Sequence, residues 1–477
     1  MLAGRRLRNP ILLLASLLFY AWGEQELVGL LLFSIGVNYV FGLIIEKKRT
    51  QDKGRTALVM AIFFNLVFLG FFKYANFFVD NLNAVLKWVG MGPIELAAIH
   101  LPIGISFFTF QAMSYVIDIY RLKVPAQKNF LNIALYISLF PQLIAGPIVR
   151  YNDIAKQLKE RWVTFPNVAQ GIKRFIVGLG KKVLIANTLG EVVDKVFAHP
   201  TGNVPVLLAW IGIVFYALQI YFDFSGYSDM AIGLGRILGF KFLENFNFPY
   251  ISKSLTEFWR RWHISLSRWL QDYLFLPIVY AIFRRNPQNK VLGIKTEYFA
   301  YSAGMLVTMF LGGLWHGASW SFVIWGVWHG VFVVLEKTLL RRGLKRLWTP
   351  LRHVYAILII IIAWVFFRSP TLSYAVTYLK SMFGFNTAYF KPNEIFLWLN
   401  NKIVFVWLIA MISCSPIFLY LQQKAKRILD SGIPRLIEAP MRNLAIVCNY
   451  FLYLGIYFLS AMHLAAGTYN PFIYFRF

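Results

Sequence analysis

Apolar stretches close to bilayer-spanning length recur along the whole chain, and no other feature limits its possible folds so sharply. ELVGLLLFSIGVNYVFGLII (26–45), VPVLLAWIGIVFYALQIYF (204–222) and VYAILIIIIAWVFF (354–367) are examples. A helix needs roughly 20 apolar residues to cross the hydrocarbon layer. Backbone exposed to lipid must satisfy its own hydrogen bonds, so only helices or closed barrels can span. The runs are continuous rather than alternating, which argues against an outer-membrane barrel. About eleven to thirteen such segments are expected by this reading. The chain therefore reads as all-α: one polytopic membrane domain over residues 1–477, with no separate soluble domain.

Charge agrees with that reading. The chain carries 48 basic and 21 acidic residues, a net +27. The surplus sits in short connections: EKKRTQDKGR (46–55), RRNPQNK (284–290) and KTLLRRGLKR (337–346). Basic residues flank membrane helices on the cytoplasmic side. That accounts for the charge without a nucleic-acid partner, and no interleaved basic-aromatic patch of RNA-binding type is present. Cys414 and Cys448 lie in apolar runs and read as small hydrophobes. There is no CxxC, HExxH, P-loop or GxSxG motif, so no metal is expected. The start, MLAGRRLRNP, is basic and leads into an apolar run that ends in FYAWGEQ. It lacks a small-residue cleavage site and reads as a cytoplasmic end before a retained helix.

Polar residues inside apolar segments are the candidates for function. GGLWHGASWSFVIWGVWHG (312–330) carries His316 and His329. The hairpin around it is basic at both ends, so both ends are expected in the cytoplasm. Gly312, Gly313 and Gly317 are expected to form the turn, with His316 in the break. Each arm is about 15–18 residues, or roughly 22–27 Å of helix, which puts His316 far from the cytoplasm. His329 lies 13 residues further on, roughly 220° away on a continuous helix. The two are not expected to share a site, and His329 is expected to be a hydrogen-bonded packing residue. In LTEFWRRWHISLSRWLQDYLF (255–275), Phe258, Trp262, Leu266, Trp269 and Leu270 form an apolar stripe, with Lys253, Arg260, Arg261 and Arg268 opposite. This predicts one amphipathic helix at the inner interface, against membrane lipid, with His263 on the cytoplasmic side. Asp223 and Asp229, in YFDFSGYSDMAIGLGRILGF (221–240), are either functional or paired with an arginine of the next helix.

With these stretches, the sequence resembles the membrane-bound O-acyltransferase (MBOAT) superfamily, in particular the bacterial branch typified by the membrane subunit of alginate O-acetylation. The matching pieces are FYAW (19–22), FFKYANFF (71–78), LPIGISFFTFQAMSYVIDIYR (101–121), FPQLIAGPIVRY (140–151), the 221–240 stretch, NFNFPYISKSLTEFWRRWHISLSRWLQDYLF (245–275), the 312–330 stretch and the terminal PFIYFRF. The resemblance implies a ring of helices around a thin centre, with a tunnel joining funnels from both faces. It implies His316, in GLWHG, as catalytic residue, and His263, in WHISLS, as the second signature position. Relatives carry a further apolar helix before a loop like GRRLRN, so the expectation is one helix fewer here, or a start assigned too late.

The implied reaction is acyl transfer from a thioester to a hydroxyl. A hydroxyl is a weak nucleophile and needs a base within hydrogen-bond reach. His316 suits that role, since histidine titrates near pH 6.5 when unperturbed. His263 would orient the donor or stabilise charge on the thioester carbonyl. Arg260, Arg261 and Arg268 could attract the phosphates of acetyl-CoA, the expected donor. Trp315 and Trp320 would wall the tunnel or simply pack. The expected acceptor is an exported polysaccharide or other cell-envelope polymer, reached through a separate extracytoplasmic acetyltransferase partner, with the chain in the inner membrane. Two rivals stand: D-alanyl transfer to teichoic acid in the same family, and a lipid-linked sugar flippase with Asp223 and Asp229 as coupling residues.

Overall fold

The structure is a computed structural model, and it describes residues 4, 6–50, 52–286, 289–386, 398–430, 435–467 and 469. The terminal PFIYFRF, most of the first five residues, and Pro287–Gln288 of the basic stretch lie outside the described residues. Among the described residues the only strands are a two-residue hairpin pair, Lys290–Val291 with Ile294–Lys295. Everything else that is regular is helical.

The helices run α1 (Arg8–Glu24), α2 (Val28–Lys48), α3 (Asp52–Val89), α4 (Ile105–Tyr120), α5 (Phe130–Ser138), α6 (Phe140–Leu143), α7 (Tyr151–Lys159), α8 (Phe165–Gly180), α9 (Asn187–Phe197) and α10 (Val206–Ile237). They continue with α11 (Leu255–Arg261), α12 (Ile264–Leu270), α13 (Leu276–Arg285), α14 (Thr296–His316), α15 (Trp320–Thr338), α16 (Arg341–Arg346), α17 (Thr349–Arg368), α18 (Leu372–Met382), α19 (Asn401–Ser413), α20 (Ile417–Asp430) and α21 (Arg435–Ala465). Among the described residues, six stretches are long and apolar enough to cross a membrane: Arg8–Lys48, Lys53–Val89, Val206–Ile237, Thr296–His316, Thr349–Arg368 and Pro440–Ala465. A seventh arises if Asn401–Ser413 and Ile417–Lys424, bent by 64°, form one span. The other apolar segments of the sequence are divided into shorter helices. Pro141 begins α6 immediately after α5. A π-helical turn at Lys181–Ala186 joins α8 to α9, and another at Gln271–Phe275 joins α12 to α13.

On α3, Phe63, Leu66, Phe71 and Phe78 are exposed, a surface suited to hydrocarbon rather than water. One core collects α9, α10, α15, α17 and α18; another collects α1, α2, α4 and α5. A third, smaller cluster takes Phe107 and Phe110 from α4, Leu266 and Trp269 from α12, and Trp315 from α14. Helices α8 and α10 meet through glycine. A Cβ on Gly178 would lie 2.5 Å from the Gly226 carbonyl oxygen, and one on Gly171 would lie 2.6 Å from that of Gly233. Without hydrophobic drive between helices in lipid, such small residues allow backbones to approach and pack.

Candidate active site

Helix α14 continues through Gly312 and Gly313 and ends at His316; extended backbone begins at Gly317 (φ −171°, ψ 153°). The expected turn is therefore shorter than the sequence suggested, covering Gly317–Ser319. Gly313 instead serves helix packing. Its Cβ would lie 2.3 Å from the Phe322 carbonyl oxygen, and a Cβ on Gly326 would lie 2.2 Å from that of Met309. Helix α15 thus folds back against α14, backbone to backbone.

The fold-back surrounds His316 with rings. It is 4% exposed, with Trp315 and Trp325 each at 4.9 Å and Phe367 at 5.2 Å between centroids, all edge-on. Its Nδ1 is buried with no hydrogen-bond partner among the described residues. His329 also lies against Trp325, at 4.9 Å. The two histidines, not expected to share a site, both contact the Trp325 ring. His329 does pack, stacked on Phe258 and edge-on to Trp259. It is not hydrogen-bonded as expected: neither ring nitrogen has a partner among the described residues.

The predicted amphipathic helix over 255–275 is broken at its centre. Trp262 is extended, and His263 takes a left-handed conformation (φ 43°, ψ 53°), a region in which histidine is several-fold enriched among non-glycine residues. The NFNF segment runs along the break and satisfies its backbone: Ile264 N–H donates to the Asn245 carbonyl at 2.9 Å, and Asn247 N–H to that of Arg261 at 2.9 Å. The apolar stripe consequently faces protein rather than lipid, with Trp262, Leu266 and Trp269 buried. His263 is not an interfacial residue either. It is fully buried, 4.6 Å from the Phe224 ring and 6.2 Å from Trp315. Its Nδ1 lies 3.2 Å from Asn245 Oδ1. Trp315 thus touches both histidines, and it also stacks on Phe110, which stacks on Trp269 at 3.8 Å.

Two residues that sequence reasoning missed hold the end of α14. Lys73 Nζ donates to the carbonyl of Trp315, and the neighbouring Tyr74 hydroxyl donates to that of Leu314 at 2.7 Å. The last carbonyls of a helix have no partner within it, and these two side chains of α3 supply one each. Lys73 also lines two cavities. One is bounded by Leu101, Ser106, Phe107, Trp315 and His316. The other includes Leu101, Asp194, Gln219, Ser319 and Arg368, with Arg368 paired to Asp194 at 2.7 Å.

The remaining candidates divide. Trp315 is in the cluster. Trp320 is not: it is 54% exposed and donates to Asn81 Oδ1 at 2.9 Å. Arg260 and Arg268 are exposed. Arg261 is held by Glu257 at 2.9 Å. Burial pushes the Glu257 carboxyl up, but the Lys253 amide and Arg261 outweigh it and leave it below the usual glutamate range. Asp223 pairs with Lys182 at 2.6 Å, and Asp229 with Lys181 at 2.7 Å and Arg174 at 2.8 Å. Both are paired, but to the preceding helical segment, not to the next helix as expected. The reason is the glycine contact that brings α8 against α10. No group of three His, Cys, Asp or Glu side chains that could hold a metal occurs among the described residues.

This geometry offers a histidine and an amine on one cavity, walled by aromatic rings, with a second histidine against one of those rings. The profile of MBOAT, the membrane-bound O-acyltransferase family, matches residues 121–379. The probable alginate O-acetylase AlgI of Azotobacter vinelandii is 39% identical over all of this chain and 96% of its own length. Its counterpart from Pseudomonas aeruginosa is 45% identical over 81% of this chain and 72% of its own. The peptidoglycan O-acetyltransferase of Helicobacter pylori is 36% identical over 80% of this chain and 75% of its own.

Proposed function

From the premise that this chain belongs to the membrane-bound O-acyltransferase family and is a multi-pass membrane O-acyltransferase, we propose that it carries an acetyl group across the inner membrane. The donor is a cytoplasmic thioester, in the simplest case acetyl-CoA. The acceptor hydroxyl belongs to an exported polysaccharide or envelope polymer, or to an extracytoplasmic acetyltransferase that completes the transfer. Relatives named for alginate and peptidoglycan O-acetylation support that class of acceptor.

The observation that carries the reading is His316 at the end of α14, lining one cavity with Lys73. His316 takes the proton of the acceptor hydroxyl as its oxygen bonds to the thioester carbonyl carbon. Lys73, the amine on the same cavity wall, can donate a hydrogen bond to the carbonyl oxygen where negative charge develops. The C–S bond then breaks, and the sulfur leaves with the proton that His316 held. Trp315, Trp325 and Phe367 keep water from the acyl group. The basic ends of α13 and α15–α16 support a cytoplasmic side remote from His316, as transfer across the membrane requires.

The test is bound O-acetyl ester, released by mild alkali from envelope and secreted polymer, in cells with the wild-type gene, a deletion and His316→Ala. Ester is expected to vanish in both mutants while the variant accumulates in the membrane. Normal ester in His316→Ala would sink the assignment.

A further inference from the structure

The hydrogen bonds around Asn245 determine which nitrogen of His263 carries its proton. An asparagine side chain has one accepting atom and one donating atom, and a histidine contact alone leaves both assignments open. Here a third group resolves them. The backbone N–H of Ser265 points at Asn245 Oδ1 at 3.1 Å, and a backbone N–H can only donate. The atom it meets is therefore the carbonyl oxygen. Ser265 Oγ donates to the same oxygen at 2.9 Å. Reversing the amide would set its NH2 against the Ser265 N–H, which is forbidden. Since Oδ1 is an acceptor only, the 3.2 Å contact from His263 requires hydrogen on Nδ1. In the neutral ring Nε2 then has none, and it is buried without a hydrogen-bond partner among the described residues.

This bears on what His263 can do. A ring whose Nε2 carries only a lone pair cannot donate to a developing oxyanion; it can only accept. We infer that Asn245 is a positioning residue that locks His263 in the Nδ1–H tautomer, so that His263 meets substrate through Nε2 as a hydrogen-bond acceptor. The inference rests on the acyl-transfer reading above. The group it receives is an O–H or N–H of donor or acceptor. Oxyanion stabilisation then falls to Lys73, which sits one residue from His316 through its bond to the Trp315 carbonyl. The orientation is held from outside the helix pair: Asn245 lies in the segment that also closes the backbone of the α11–α12 break.

The experiment compares wild type, Asn245→Asp, Asn245→Leu and His316→Ala as full-length protein in membrane vesicles that contain the native acceptor. Release of free thiol from acetyl-CoA is followed against pH. In Asn245→Asp a carboxylate keeps all three hydrogen bonds, so normal accumulation and a maximal rate within about threefold of wild type are expected. The carboxylate also favours the imidazolium form of His263, so the neutral acceptor is lost at a higher pH as pH falls. The acidic limb of the profile should rise by about one unit. The other ionisable groups near this ring, His316 across Trp315 and Lys73 at the Trp315 carbonyl, are unchanged in the variant. Asn245→Leu should lose activity on the order of 100-fold. An unshifted acidic limb in Asn245→Asp overturns the inference, as does an inactive or non-accumulating Asn245→Asp, or an Asn245→Leu that keeps more than about a third of the rate. The His316→Ala arm separates the two levels: wild-type thiol release there defeats the assignment of His316 as the base, on which the inference rests, whatever the Asn245 variants do.

Discussion

Lys73 and Trp315 stand 242 residues apart in the chain, yet the amine of the first donates to the backbone carbonyl of the second. The residue after that carbonyl is His316. The ring at the centre of the proposed chemistry is thus oriented by a lysine from another helix, through the main chain.

Replacing Lys73 by methionine keeps the length of the side chain and removes the donor. The buried Trp315 carbonyl loses its partner, at a cost of about 1–3 kcal/mol. If that cost falls on the active geometry, O-acetyl ester should drop by roughly 5- to 160-fold. Ester content normalised to membrane protein level is the readout. A methionine variant with wild-type ester would remove Lys73 from the mechanism.

Gly326→Ala places a methyl group where only 2.2 Å separates it from the Met309 carbonyl oxygen. Helices α14 and α15 must part, and stability should fall by about 1–3 kcal/mol, seen as a lower unfolding temperature in detergent. Gly29→Ala on α2 is the control, because its Cβ meets nothing within 4 Å. The two variants should differ clearly; equal unfolding temperatures would refute the packing argument.

Asp223 and Lys182 form a buried pair. Asp223→Asn alone leaves a buried cation and should destabilise by about 3–5 kcal/mol. Adding Lys182→Met should restore most of the membrane level, and with it the ester. A double variant that accumulates but makes no ester would give Asp223 a role in the reaction, and would revive the coupling function considered from the sequence.

Arg260 and Arg268 are exposed, whereas Arg261 is occupied by Glu257. If the exposed pair attracts a phosphate-bearing thioester, the double alanine variant should raise the donor KM by about 3- to 10-fold and leave kcat unchanged. Steady-state kinetics with acetyl-CoA decide it. Trp320→Ala, outside the cluster, should change ester content by less than about twofold.

How much of this was readable beforehand differs residue by residue. The hairpin with basic ends pointed to His316 through two simple rules, apolar length and charge placement. Lys73 gave no such signal. A lysine in an apolar run resembles any snorkelling cation, and its partner is a carbonyl, which every residue has. The break at His263 was hidden because the apolar spacing continues across it without glycine or proline. The left-handed residue there is histidine itself, supported by a segment 18 residues upstream. The acidic pairs were half legible. Asp223 and Asp229 signalled partners, and Lys181, Lys182 and Arg174 sit at comparable depth in the preceding apolar segment. What the sequence lacked was the direction, which the glycines at 171, 178, 226 and 233 decide by letting α8 lie against α10.

The site's parts come from α3, from the segment before α11, from the α11–α12 break and from the end of α14, so no early portion of the chain holds them all. During synthesis, Lys73 is made long before the carbonyl it will bind and His263 before the ring it will touch. A chain inserted only through α13 lacks His316 and the wall that keeps water out. Under the proposed mechanism it could neither activate an acceptor hydroxyl nor shelter a thioester. On that mechanism the enclosure closes only when α17 brings Phe367 against His316, so a copy that stops at α15 has the base without the finished wall.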